Sequence, residues 1–80
     1  MHYVYVLESR RTGRYYIGST HNVEKRLAQH NAGGTKSTRN LRPWNILHVE
    51  IFTTKPEAVR RERLIKSWKS RKHIKQQFNL

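Results

Sequence analysis

Arg26, His30 and Glu62 stand where their local pattern gives them no ordinary task. Val23, Arg26, Leu27 and His30 follow the i, i+3, i+4, i+7 spacing of one helix face. That face carries the helix's larger apolar side chains, so an arginine and a histidine within it cost free energy unless paired or engaged with a ligand. The bland alternative is an arginine stretched along apolar surface and a histidine hydrogen-bonded in the core. Glu62 lies among Arg60, Arg61 and Arg63, at the border of an apolar side formed by Ala58, Val59, Leu64, Ile65 and Trp68. A carboxylate is the strongest ligand in this chain for a hard cation such as Mg²⁺. Its bland alternative is a surface salt bridge worth less than about 1 kcal/mol. Arg61 projects nearer the centre of that apolar side than Glu62 does, and is expected to be a second anion contact. All four tyrosines, at 3, 5, 15 and 16, fall in the first twenty residues, where tyrosine also suits a plain strand.

The elements that must position these groups are legible. Residues 3–8 are aromatic and β-branched and predict a strand. Arg10 to Gly13 predict a turn, and residues 14–19 the returning strand. If Leu7 opposes Tyr16, then Tyr5 opposes Gly18 and the rings of Tyr5 and Tyr16 share a face; a slip of one residue separates them. Asn22 is the expected N-cap of the next helix, Glu24 lies in its first turn, and Gly33-Gly34 stop it. Residues 33–43 lack periodicity and carry Lys36, Arg39 and Arg42, which predicts a mobile cationic loop. Residues 44–53 predict a third strand, and Thr54, Pro56 and Glu57 open a second helix running to about Trp68. Residues 70–77 predict a last short helix or a frayed tail. Strand-strand-helix-strand-helix, with this optional last helix, is an α+β arrangement: a small three-stranded antiparallel sheet flanked by helices, in one domain spanning 1–80.

Composition narrows the partners. Seventeen Lys and Arg face five Glu and no Asp, a formal net charge of +12. Self-repulsion of that size works against a small fold and calls for a polyanion, nucleic acid first, since neutralised phosphates release counterions. Without cysteine there is neither a disulfide nor a thiolate site. The five histidines show no metal-ligand spacing, and no Gly-rich phosphate loop, G-x-S-x-G turn or paired carboxylates occur, so zinc, nucleotide-hydrolase, serine-hydrolase and glycosidase chemistry lack support. No apolar run approaches a membrane span, and a cytoplasmic protein is expected. The apolar residues show no surplus for a partner-binding patch, so a monomer is expected.

Several of these residues together resemble the GIY-YIG nuclease domain. Tyr3-Val4-Tyr5 stand for the first half of its motif, with Tyr3 where Gly is frequent and Val4 for Ile. Tyr16-Ile17-Gly18 match the second half. Ser19 to Leu27 resemble the segment that carries the family's arginine, here Arg26. His30 falls where members carry His or Tyr, and Ala58 to Lys66 resemble the segment that bears its metal-binding glutamate, here Glu62. The likeness runs from Tyr3 to about Lys66 and is nearest the short stand-alone bacterial members termed UPF0213.

The resemblance implies a metal-dependent DNA endonuclease, structure-selective and linked to repair or recombination. Its alternative is a non-catalytic nucleic-acid-binding module on the same fold. It implies that Glu62 holds a single Mg²⁺ or Mn²⁺ as a Lewis acid. Arg26 would stabilise charge on the phosphoryl oxygens. Tyr5 or Tyr16 would be the general base, helped by Arg26 and His30, because an ordinary phenol titrates near about 10. Duplex or branched DNA is the expected partner, with RNA open and a protein partner for targeting. Lys36, Arg39, Arg42, Arg61, Lys66 and Lys69 would hold the phosphate backbone.

Overall fold

Alternation along the first strand divides the core in two. In β1 (His2–Ser9), Val4 and Val6 face one side of the sheet, while Tyr5 and Leu7 face the other, as a two-residue period requires. All four are buried because β1 is the central strand of an antiparallel sheet ordered β2-β1-β3. The computed structural model describes residues 1–80.

A tight turn joins β1 to β2 (Tyr15–Thr20). Gly13 takes φ +79, a left-handed conformation that favours glycine, and the buried Ser9 hydroxyl accepts from the amides of Arg11 and Thr12. The register is the expected one: Leu7 opposes Tyr16 and Tyr5 opposes Gly18.

Helix α1 (Val23–Asn31) covers the Tyr5 face. Asn22 caps it, accepting from the Lys25 amide at 3.0 Å. Gly33, at φ +81, ends it: the Gly34 amide donates to Gln29 O and the Gly33 amide to His30 O, the paired bonds of a Schellman stop. Val23 and Leu27 pack against Tyr5, Leu7 and Trp44. Residues 33–43 are not the free loop expected from their composition. Thr38 is buried, Arg39–Leu41 form a single 3-10 turn, and Leu41 packs against the same cluster.

Strand β3 (Trp44–Phe52) completes the sheet, with a register shift opposite Val6 and Leu7. Its Val49 and Ile51 remain exposed, apolar surface that the composition did not announce. On the other face lie α2 (Lys55–Ser67) and α3 (Arg71–Gln77). The Thr54 hydroxyl accepts from the Glu57 amide and donates to its carboxylate, with Pro56 in the first turn. Residues 70–77 resolve into a helix: Ser70 caps it and Ile74 is buried beside Ile65 and Val6.

The phase of α2 differs from the expected one. Ala58 and Ile65 are buried, but Leu64 is exposed. Arg61 takes the inward place because it has a partner there. Its Nε and Nη2 donate to the two oxygens of Glu50 on β3, at 2.8 and 3.0 Å, and its guanidinium lies over Trp68 and Phe78. His48 completes the set against Glu50 at 3.0 Å. The hydrogen bonds from Arg61 hold the Glu50 carboxyl below its ordinary range despite burial. Arg61 is therefore a strut between helix and sheet, and the phosphate contact expected of it is not available. Arg61→Ala is expected to cost about 1–3 kcal/mol, read as a lower urea midpoint; an unchanged midpoint would refute the strut.

Candidate active site

The sheet face under α1 gathers Tyr5, Tyr16 and His30. The two tyrosine rings lie 6.3 Å apart at 30°, and the His30 ring meets that of Tyr16 edge-on at 4.8 Å. Glycine is required beneath them: a Cβ on Gly18 would stand 2.5 Å from the Tyr5 hydroxyl. Gly18→Ala therefore displaces the Tyr5 phenol, and any activity that uses it is expected to fall by about tenfold or more, in line with the sensitivity of catalysis to displacements near 1 Å. Full activity in that variant would remove Tyr5 from the site.

A chain of hydrogen bonds surrounds His30, which is fully buried. The Thr38 hydroxyl lies 2.8 Å from His30 Nδ1 and 3.4 Å from Thr35 O, and donation to that carbonyl assigns Nδ1 as the donor to Thr38. That tautomer leaves the Nε2 lone pair facing the Tyr5 hydroxyl at 3.3 Å, where Tyr5 donates. Burial lowers the His30 pKa, and the charge of Arg26 one turn away lowers it further. A neutral imidazole is thus held ready to receive a proton from Tyr5.

Tyr5 itself is not poised as a phenolate. Burial pushes its pKa above the ordinary value; Tyr16 and Glu62 push the same way, and the pull of Arg26 does not overcome them. Of the two helpers expected for it, Arg26 lowers its pKa without overcoming burial, and His30 is the one within hydrogen-bond reach of its hydroxyl. Arg26 is half-buried, and none of the three salt bridges involves it. It borders a small polar hollow of about 110 Å³ with Thr20, Asn22 and Gln29.

Glu62 reaches this site from the opposite face, at the edge strand β2. Its carboxylate accepts from Lys66 Nζ at 2.6 Å and feels the Ser19 hydroxyl, the residue after Gly18, in its protonation. Burial raises its pKa, but the bond from Lys66 and the Ser19 hydroxyl, with the charges of Lys66 and Arg63, leave it below the ordinary carboxylate range. Its charge is also felt at Tyr5. The Lys66 contact is the i, i+4 pair that an ordinary surface glutamate would make. No group of three His, Cys, Asp or Glu gathers anywhere, so a cation here would rest on this one ionised carboxylate, with water and substrate oxygens as its other ligands.

The remaining cationic candidates divide. Lys36, Arg39, Arg42 and Lys69 are exposed, although Arg39 Nε donates to Gly33 O. Lys66 is committed to Glu62, and Arg61 to Glu50. Sequence reasoning missed Thr38 and Ser19. Both are common hydroxyl residues outside any periodic pattern, and only their partners reveal them.

A small antiparallel sheet that sets two stacked tyrosines beside a histidine, with an arginine one turn from it and a glutamate across the sheet edge, defines a known class. Residues 1–76 match the family described as the GIY-YIG catalytic domain, and the chain belongs to that family. The family is one of nucleases, which makes nucleic acid the substrate class. Similar proteins include a UPF0213 protein of Halobacterium salinarum, 51% identical over 67 residues, covering 82% of this chain and 86% of that one. Another, from Staphylococcus haemolyticus, is 43% identical over 75 residues, with 92% and 90% covered. The solution NMR structure of a UPF0213 protein from Bacillus halodurans superposes with a TM-score of 0.62 at 37% identity, over 98% of this chain and 82% of that one. No helix is long and apolar enough to cross a membrane.

Proposed function

We propose that this chain is a metal-dependent endonuclease that cleaves phosphodiester bonds in DNA. Its substrates would be flaps or branches of the kind that repair and recombination generate. The observation that carries the reading is the buried Tyr5–His30–Thr38 chain, with a neutral imidazole beside an arginine that has no acidic partner. Tyr5 takes a proton from the attacking water as its own proton passes to His30 Nε2, so no phenolate has to exist at rest. Arg26 meets the phosphoryl oxygens as their charge grows. Glu62, ionised and bordering both faces, is the side chain that would hold Mg²⁺ or Mn²⁺. That ion, when bound, supplies Lewis-acid stabilisation at the scissile phosphate. With a net charge of +12, the surface would hold the rest of the backbone without reading sequence.

The test is cleavage of plasmid, single-stranded, flap, branched and RNA substrates with Mg²⁺ or Mn²⁺, wild type beside Arg26→Ala. A loss of about 10²–10³-fold in the variant, with an unchanged circular dichroism spectrum, is the expected result. Cleavage by neither protein, with binding by both, would replace the enzyme with a nucleic-acid-binding module. An unfolded variant would return Arg26 to the core.

A further inference from the structure

The edge strand β2 and the two helices beneath it enclose an open recess of about 420 Å³, on the face opposite Tyr5 and His30. Beneath it lie the buried core residues Ile17, Ile65 and Ile74, and the half-buried ring of Tyr15 is the apolar surface it offers. Its rim is cationic: Arg14, Lys66, Lys69 and Arg71 line it, and no carboxylate does. Arg71 is held in place, donating to Gly13 O at 2.8 Å with its guanidinium 6.0 Å from the Tyr15 ring. Arg14 and Lys69 take part in no salt bridge. Lys69 also holds φ +55 between α2 and α3, a conformation costing a non-glycine residue roughly 1 kcal/mol.

A partly exposed aromatic ring under a rim of one sign selects a ligand with a flat apolar body and a phosphate. The volume is that of a small-molecule site, commonly about 300–1,000 Å³, and not that of a groove for a duplex or a helix. We propose that this recess binds one 5′-phosphorylated nucleoside, its base against the Tyr15 ring above the isoleucines and its phosphate among Arg14, Lys66, Lys69 and Arg71. The proposal rests on the nucleic-acid reading above for the ligand's class, but not on cleavage. Lys66 links the two places: its Nζ is held by Glu62 at 2.6 Å, so a phosphate in the recess competes with that carboxylate for the same ammonium group. Occupancy therefore loosens Glu62 from Lys66.

Methyl and amide NMR of the full chain, without divalent metal, tests this with four probes: thymidine 5′-monophosphate, the trinucleotide pdTdTdT, thymidine and inorganic phosphate. The expected result is movement of the Ile17 and Ile74 methyls by the two phosphorylated nucleosides, with thymidine and phosphate at least about tenfold weaker. A trinucleotide binding at least about tenfold tighter than the mononucleotide identifies the end of a strand as the occupant; equal affinities identify the free nucleotide. The double variant Arg14→Gln, Lys69→Gln, whose spectrum reports its own folding, is expected to bind about tenfold or more weakly. Glu62→Ala, which releases Lys66, is expected to bind at least as tightly as wild type.

Inorganic phosphate matching the nucleotides, shifts confined to the Arg26 hollow, or wild-type affinity in the double variant would each overturn the proposal. So would loss of binding in Glu62→Ala. Because no metal is present, a failure here leaves the endonuclease reading standing, and a failure of cleavage leaves the recess standing.

Discussion

Glu62→Gln is expected to lower cleavage by about 10²-fold or more while the fold survives, because it replaces the proposed ionised metal ligand by a neutral isostere. The stability change is small for a specific reason. The variant weakens one i, i+4 helix pair, with Lys66 about half exposed at 52%, and such pairs contribute only about 0.3–0.5 kcal/mol. In a domain of this length that moves the melting temperature by roughly 2–4 °C. Lys66→Gln breaks the same pair from the other side and keeps the carboxylate. Equal stability losses in the two variants with a far larger cleavage loss in Glu62→Gln assign the carboxylate to chemistry. Equal losses in both measures would make Glu62 an ordinary surface residue, and would remove it as the proposed metal ligand.

That experiment matters because Glu62 is the site residue whose position the sequence located least well. Tyr5, Tyr16 and Gly18 followed from strand alternation and one register choice, both local, and the observed pairing matches them. Asn22, Gly33 and the Val23–Leu27 stripe fixed α1 in the same local way. In α2 the reading of faces failed at Leu64, which is exposed, and held at Arg61, whose partner it missed. That partner is Glu50, eleven residues away on another element, and no helical period contains that information. The loop before β3 is the same case. Its order comes from Asn31 bonding both backbone groups of Trp44, and from the Trp44 indole donating to Thr38 O. Polarity and glycine content describe what such a segment is made of, not what it is tied to. Residues 70–77 left helix and frayed tail both open, because whether seven residues form a helix depended on Ile74 finding a core to enter.

Burial of His30 makes it the position where site and fold cannot be separated. His30→Ala is expected to cost about 2–4 kcal/mol, through a cavity under α1 and through the Tyr5 and Thr38 hydroxyls left without their partner. An 80-residue domain holds only about 4–12 kcal/mol, so the variant is close to unfolding. His30→Gln refills most of the space and separates the roles: it recovers much of the stability but does not take the proton from Tyr5, so cleavage stays low. The proton inventory gives a second reading of the same residue. In the unfolded chain His30 titrates near its ordinary 6.5, whereas in the fold its pKa lies lower, so the unfolded state binds more protons in this window. The stabilisation from keeping His30 neutral is therefore complete above pH 6.5 and is lost as pH falls from 6.5 through the folded value; His2, shifted the same way, adds a smaller background. Glu50 and Glu62, whose pKa values also lie low, contribute losses only below their ordinary 4.5. Urea midpoints of wild type are expected to decline between about pH 6.5 and 5, with a shallower decline in His30→Gln. Wild-type cleavage is expected to hold until the pH nears the lowered folded pKa of His30, and to fall there, because a protonated Nε2 has no lone pair for the Tyr5 proton. A flat wild-type midpoint across that range would mean that His30 carries its proton in the fold, and Tyr5 would then be the acceptor of the bond to His30 and no longer its donor.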